Sequence, residues 1–169
     1  MDVVVRLLGA VGWEVEVEVS FATGGERGSI DVLGYHPATA SLVVGEVKSV
    51  VPDAQATVFL LDRKARVAPE LARRRGLHVR RVSRVLFVGD DKTARRRIAR
   101  HAALWAAALP VRGRSVTAWL RNPGDPPISG LLFLPRPSGA ASWDAVRVRR
   151  VRARATRRRG PSTERDGSP

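Results

Sequence analysis

Cysteine is absent from this chain of 169 residues, and lysine is scarce: only Lys48, Lys64 and Lys92 stand among the 30 basic residues. Without cysteine, neither a disulfide nor a thiolate metal site can form, so a bound metal would need oxygen or imidazole ligands. Such a composition fits a reducing compartment. We therefore expect a cytoplasmic protein.

Long apolar runs are also missing from the sequence. No run approaches the roughly 20 residues that a helix needs to cross a bilayer, so we expect no membrane partner. The first residues, MDVVVRLLGAVGWEVEVEV, carry acids and lack the basic start of a secretory signal peptide. The sequence therefore predicts a soluble protein that is not exported.

Positive charge, by contrast, is in large excess, with a formal net charge of +14. Arginine and lysine gain affinity for phosphates by releasing counterions, so this excess favours a polyanionic partner such as DNA. Residues 145–169 contain nine arginines against Glu164 and Asp166, so both this end and the rest of the chain are basic. Arginine in place of lysine is equally typical of a GC-rich coding sequence, which leaves a basic protein without a nucleic-acid partner as an alternative.

Hydrophobic periodicity predicts one α/β domain over residues 1–137. An apolar helix is expected over residues 3–11, and WEVEVEVSF alternates Glu14, Glu16 and Glu18 with apolar residues, which predicts a strand with one wet face. SIDVLGYH and LVVGEVKS predict the second and third strands of a meander. Both are apolar on each side, so helices are expected on both faces of the sheet.

Further elements follow the meander. Helical spacing covers residues 54–76, with a kink or division at Pro69, and residues 92–109. VSRVLFVG predicts a strand between these helices, and SVTAWL and GLLFLP predict two shorter strands. Glycine, serine, proline and arginine then predominate, and such a composition cannot bury a core, so we expect a basic, disordered tail over residues 138–169.

Charges interrupt the second and third strands at one end of the predicted sheet. If these strands form a symmetrical hairpin, His36 lies opposite Ser41. Asp31 then falls opposite Glu46, and strand periodicity places Lys48 on the same face. Directly opposed carboxylates repel each other, and desolvation strengthens the repulsion unless a cation is shared between them. The register therefore predicts a metal site.

A hard divalent cation such as Mg²⁺ or Mn²⁺ suits this site, because such ions take carboxylates, waters and phosphate oxygens as ligands. Asp31 and Glu46 supply carboxylates, and the backbone carbonyl of Val47 is a candidate third ligand. Lys48 is placed to assist the attacking water and to offset charge on the transition state of phosphodiester hydrolysis. A salt bridge of either acid with Lys48 at a wet strand end is the alternative, and the residues alone leave the two equally open.

The same residues resemble a known family of nucleases. A helix, a three-stranded meander, a helix and a strand, with Asp on the second strand and Glu-Val-Lys on the third, resemble the PD-(D/E)XK superfamily over residues 13–134. The resemblance implies a restriction-endonuclease-like αβββαβ core, a central mixed sheet flanked by helices, and extra C-terminal strands. It also implies that Asp31 and Glu46 bind the metal and that Lys48 is the catalytic lysine.

Residues 25–76 also look like a group of actinobacterial proteins in which such a domain often follows a helix-turn-helix DNA-binding module. That module is missing from this sequence and is an expected partner. The first helix also lacks the glutamate that many superfamily members contribute, since Asp2 is its only acid. Lost or partial catalytic activity therefore stays open.

Other polar side chains are candidates for a role near this site. Gln55 stands at the start of the helix after the lysine, where superfamily members often place a polar residue facing the site, and a helix surface suits it equally. Arg63 and Lys64 are candidates for a phosphate path or for a charged outer face. Arg27 belongs to GGERG, whose glycines allow close approach to a nucleic-acid backbone or serve a plain tight turn.

We expect a metal-dependent endonuclease acting on DNA, with Asp31, Glu46, Lys48 and Gln55 as catalytic residues and Arg27, Arg63 and Lys64 contacting the DNA. A homodimer is one open arrangement, since many enzymes of this fold pair protomers to cut two strands. The alternatives are a DNA-binding or regulatory module that keeps the fold without cutting, and an interaction domain whose charges only keep it soluble. The last would show no steep loss of DNA affinity with salt.

Overall fold

A computed structural model describes residues 1–135 of the chain. These residues form a six-stranded sheet with helices on both faces. The helices are α1 (Asp2–Gly9), α2 (Ala54–Arg74), α3 (Lys92–Arg100), α4 (Ala102–Ala108) and α5 (Gly113–Arg121). The strands are β1 (Glu14–Thr23), β2 (Glu26–His36), β3 (Ser41–Lys48), β4 (Arg81–Gly89), β5 (Val111–Arg112) and β6 (Ser129–Leu134).

The sheet is mixed, and its strand order is β1-β2-β3-β4-β6-β5. The first three strands form the predicted antiparallel meander, while β3, β4, β6 and β5 run parallel to one another. The α/β class and the order α1, β1, β2, β3, α2, β4 confirm the prediction from the sequence. Because parallel strands point the same way, the carboxyl ends of β3, β4, β6 and β5 lie along one edge of the sheet.

Two apolar layers enclose the sheet, as expected for strands that are apolar on both sides. The α2 layer lies between the sheet and helices α2, α3 and α4, and it includes Val44, Leu61 and Trp105. The α1 layer lies on the other face, under α1 and α5, and it includes Val43 and Val116. Val43 and Val44 are neighbours in β3 and pack on opposite faces, which is the alternation that a strand imposes.

Three expectations about the helices need correction. The predicted strand SVTAWL is helix α5, because Val116 and Leu120, four residues apart, bury one side of a helix against β6. The predicted helix over residues 92–109 is two helices that meet at His101, whose φ of −119° departs from helical geometry. Pro69 lies inside α2, which is a single element from Ala54 to Arg74.

The predicted domain boundary at residue 137 and the predicted tail fall outside the described residues. Within residues 1–135, no helix has both the length and the apolarity that a membrane span requires.

Candidate active site

The β2–β3 hairpin adopts the predicted register. His36 pairs with Ser41, and the pairing continues without a shift to Val32 and Gly45. One further step along both strands places Asp31 beside Glu46. The two acids that the sequence predicted to face each other therefore lie together, at the end of the hairpin remote from its turn.

Four charged side chains form a cluster at this point: Asp31 of β2, Glu46 and Lys48 of β3, and Lys64 of α2. The Lys64 Nζ donates to Asp31 Oδ1 at 2.8 Å and also to Glu46 Oε2. The Lys48 Nζ lies 2.6 Å from Glu46 Oε1. The cation shared between the two acids is therefore an ammonium from the helix, and the charged cluster has two negative and two positive members.

Every carboxylate oxygen of the charged cluster has a partner. Glu46 contacts one lysine with each oxygen, and Asp31 contacts Lys64 with Oδ1. The other Asp31 oxygen, Oδ2, accepts a hydrogen bond from the Val47 backbone N–H at 2.9 Å. That hydrogen bond ties the Asp31 side chain to β3 and fixes its orientation. It involves the amide of Val47, so a role for the Val47 carbonyl as a metal ligand stays a prediction.

Burial increases from one side of the charged cluster to the other. The Glu46 side chain is 2% exposed and the Lys64 side chain 9%. Asp31 is 21% exposed and Lys48 35%. Glu46 therefore lies at the floor of the site, while Asp31 and Lys48 are partly exposed to solvent.

The sequence predicts Lys64 on a phosphate path or on a charged outer face, and it does not predict that Lys64 joins the charged cluster. A charged outer face was one interpretation of this lysine, and it is wrong, because Lys64 is 7% exposed. The spacing of the apolar residues in α2 could have predicted that Lys64 is buried. Thr57, Leu61, Lys64 and Ala68 recur at intervals of three and four residues and are all buried, so the helical period alone places Lys64 on the inner face of α2.

Gln55 does not join the charged cluster. It is exposed in the first turn of α2, nine residues before Lys64. At 3.6 residues a turn, nine residues are two and a half turns, so Gln55 lies on the opposite side of the helix. Thr57, seven residues before Lys64, shares its buried side, and the Thr57 hydroxyl donates to the Asp53 carbonyl.

Strands β1 and β2 extend beyond the charged cluster as a hairpin arm, residues 19–30. Their pairing continues to Thr23 and Glu26, whereas β2 pairs with β3 only from Val32 onward. Arg63 joins α2 to this arm by donating from Nη2 to the Arg27 carbonyl at 3.3 Å. Arg27 itself is exposed on the hairpin arm.

The backbone of β1 departs from extended strand geometry at the residue directly across from Asp31. Glu18 of β1 occupies that position and has a left-handed φ of 53°. Ile30 and Val32 pack in opposite apolar layers, although residues two apart in a regular strand share a face. The side chains of β2 therefore exchange faces of the sheet at Asp31. A non-glycine residue in this conformation costs about 1–3 kcal/mol, and such strain occurs most often at functional sites.

The donor set of the charged cluster fits a hard divalent cation. Asp31 Oδ1 and Glu46 Oε2 both contact one nitrogen, so the two carboxylates already converge on a single cation position. Within residues 1–135, no group of three or more aspartate, glutamate or histidine side chains is arranged to hold a metal. A metal here would therefore have two protein carboxylates, with the Val47 carbonyl as a predicted third protein ligand and the remaining positions open to water, which is close to the usual pattern for Mg²⁺.

A cleft lies at the same edge of the sheet, near the ends of β5 and β6. Its lining comprises Asp90, Arg95, Arg112, Gly113 and residues 131–133. Hydrogen bonds of 2.6 and 2.8 Å from Arg95 hold the pKa of Asp90 below its usual value, and the same pairing raises the pKa of Arg95. Burial lowers the pKa of Arg112. Since Asp90 neutralises Arg95, Arg112 gives the lining a net positive charge.

Comparison with known proteins adds no relative to this description. Scans of protein-family models, curated proteins and solved structures each found no match to the chain.

Proposed function

We propose that this protein is a metal-dependent endonuclease with a restriction-endonuclease-like fold, hydrolysing phosphodiester bonds in DNA. One observation carries the proposal: the carboxylates of Asp31 and Glu46 converge on a single cation position at the carboxyl end of β3, with Lys48 beside them. A buried acid whose partners are both basic is costly to keep for stability alone, because desolvation offsets much of the attraction. A catalytic role would explain why a buried acid is kept at this position.

Each residue of the charged cluster has a distinct task in this proposal. Asp31 and Glu46 would hold Mg²⁺ or Mn²⁺, which when bound supplies Lewis acidity and activates water. The Val47 N–H keeps the Asp31 carboxylate turned toward β3. Lys48, at the solvent side, is placed to orient the attacking water and to stabilise negative charge on the phosphate in the transition state.

Basic groups along the same edge suit a path for the DNA backbone. Arg27 lies four residues before Asp31 in β2, about 13 Å along the strand, on the exposed hairpin arm. The cleft with Arg112 lies in the other direction, at β6 and β5, two and three strands from β3 and thus about 10 and 14 Å away. Phosphates that extend from the charged cluster along the hairpin arm or across the sheet would therefore meet positive charge. We also propose that the protein acts in the cytoplasm.

A second candidate function is a DNA-binding or regulatory module that keeps the fold without cutting. A specific observation favours it: the charged cluster is neutral with its own two lysines, so the acids have partners before any metal binds. In that case Lys64 is a permanent replacement for the metal. The nuclease proposal ranks first because DNA binding alone does not require two facing acids, and here both acids contact a single cation position.

A cleavage assay separates the two candidates. Supercoiled plasmid and branched DNA are incubated with the protein in Mg²⁺ or Mn²⁺, with EDTA controls. We expect metal-dependent nicking that falls by about 100-fold or more in Asp31→Asn, Glu46→Gln and Lys48→Ala, because each change removes a ligand or a stabilising charge.

Glu14→Gln is the matched control, since Glu14 is an exposed acid at the start of β1. It should cut as well as the unchanged protein. DNA that is bound but left intact in every metal would contradict the nuclease proposal and support the binding module.

A further inference from the structure

The cation position between Asp31 and Glu46 coincides with the ammonium of Lys64. The Lys64 Nζ lies 2.8 Å from Asp31 Oδ1 and contacts Glu46 Oε2. A Mg²⁺ ion bound to the same oxygens would lie at about 2.1 Å from each. A nitrogen and a metal ion cannot occupy so small a region together, because their volumes overlap and both carry positive charge.

Lys64 differs from Lys48 in its place in the fold. Lys48 extends along β3 and is 35% exposed, so a metal can bind Glu46 and leave Lys48 at the solvent side. Lys64 reaches the acids from α2 and is 9% exposed, and it bridges both carboxylates. Of these two lysines, Lys64 is therefore the one whose contacts a metal would replace.

The chemistry of lysine also suits such an exchange. A lysine carries its charge at the end of a flexible four-carbon stem, so the ammonium can swing away while the backbone of α2 stays in place. The position of α2 is held separately, by Leu61, Ala68 and Leu71 in the α2 layer. Only the Lys64 side chain therefore needs to move, and α2 can stay in place.

We infer that Lys64 competes with the catalytic metal for the carboxylates of Asp31 and Glu46. Without metal, the ammonium holds one oxygen of each acid against a single position. When metal binds, Lys64 gives up both contacts. The inference rests on the proposed nuclease function, and it makes Lys64 a residue that sets how much divalent cation the protein needs before it can act.

Metal binding to the full chain tests this inference without any reference to activity. Calorimetric titration with Mn²⁺ is compared for the unchanged protein, Lys64→Gln and Lys64→Met. Removing the competing charge should tighten Mn²⁺ binding by about tenfold or more, because it removes a repulsive unit charge within a few ångströms of the ion. Lys64→Arg keeps the charge and should bind Mn²⁺ no more tightly than the unchanged protein.

A matched control and a second measurement guard against indirect effects. Arg66→Gln removes one positive charge from the exposed side of the same helix, and it should leave Mn²⁺ binding unchanged. In thermal unfolding with EDTA, both neutral Lys64 variants should melt below the unchanged protein. Added Mn²⁺ should then raise their melting temperatures by more than it raises that of the unchanged protein.

The outcomes distinguish this inference from the proposed function. Suppose that Mn²⁺ binds the unchanged protein, that Asp31→Asn abolishes this binding, and that Lys64→Gln and Lys64→Met bind Mn²⁺ no more tightly. This result would overturn the competition by Lys64 and still support a metal site at Asp31. If neither the unchanged protein nor the Lys64 variants bind Mn²⁺, both ideas fail together. Binding that appears only in the Lys64 variants and depends on Asp31 would support the competition directly.

Discussion

Glu46 is the residue on which the charged cluster depends most. Its carboxylate contacts both lysines and is 2% exposed, so its charge is separated from bulk water. Removing one partner of a buried ion pair leaves the other charge unpaired and costs about 3–5 kcal/mol, whereas exposed pairs contribute about 0–1 kcal/mol. The two ends of this cluster should therefore respond very differently to mutation.

Glu46→Ala in EDTA should lower the free energy of unfolding by about 3 kcal/mol, because Lys64 loses a partner in a buried site. Lys48→Ala should lower it by less than about 1 kcal/mol, because Glu46 keeps its contact with Lys64. Urea unfolding, followed by circular dichroism, measures both. Equal losses for the two variants would contradict the account of a buried floor and an open side.

The sequence predicted Asp31, Glu46 and Lys48 correctly as neighbours, because the two-residue period of a strand and a symmetrical hairpin depend only on local spacing. It did not predict the contact of Lys64 with the two acids. That contact joins α2 to two strands, so it depends on how the helix packs over the sheet. The inner face of α2 could have been found from its helical period, but its partner across the layer could not.

Helix α5 also shows that local sequence alone does not decide which element forms. Its alternation of valine, alanine and leucine suits a strand, and its β-branched residues have high strand propensity. Packing decides the outcome. Val116 and Leu120 lie on one side of a helix over β6, and a Cβ built on Gly130 of β6 would lie 2.8 Å from Val116 Cγ2. The absence of a side chain at Gly130 therefore makes room for α5.

Gly130→Ala should destabilise the protein by about 1–3 kcal/mol, because the added methyl overlaps Val116. In the background of Val116→Ala, whose smaller side chain leaves space, the same change should cost about 1 kcal/mol less. Chemical denaturation of the two single variants and the double variant gives this coupling energy.

Gly124→Ala is the control for that cycle, since a Cβ there has no other atom within 4 Å. It should change the free energy of unfolding by less than about 0.5 kcal/mol. Strictly additive costs at Gly130 and Val116 would contradict the packing of α5 on β6.

At the scale of the whole molecule, the arrangement of parallel strands brings the functional groups together. The charged cluster at the end of β3 and the cleft at the ends of β6 and β5 share one edge of the sheet. The sequence could predict the α/β class and the two-sided core from hydrophobic periodicity, and the excess of positive charge from composition. It could not predict that β6 lies between β4 and β5, and this strand order decides how far Arg112 lies from the charged cluster.

The most direct test of the central claim is a crystal structure of the protein grown with Mn²⁺, with anomalous scattering used to locate the metal. We predict an anomalous peak between Asp31 and Glu46, about 2 Å from an oxygen of each, with the Lys64 ammonium displaced from both carboxylates. A structure in saturating Mn²⁺ that shows no peak there and keeps Lys64 between the two acids would contradict this prediction.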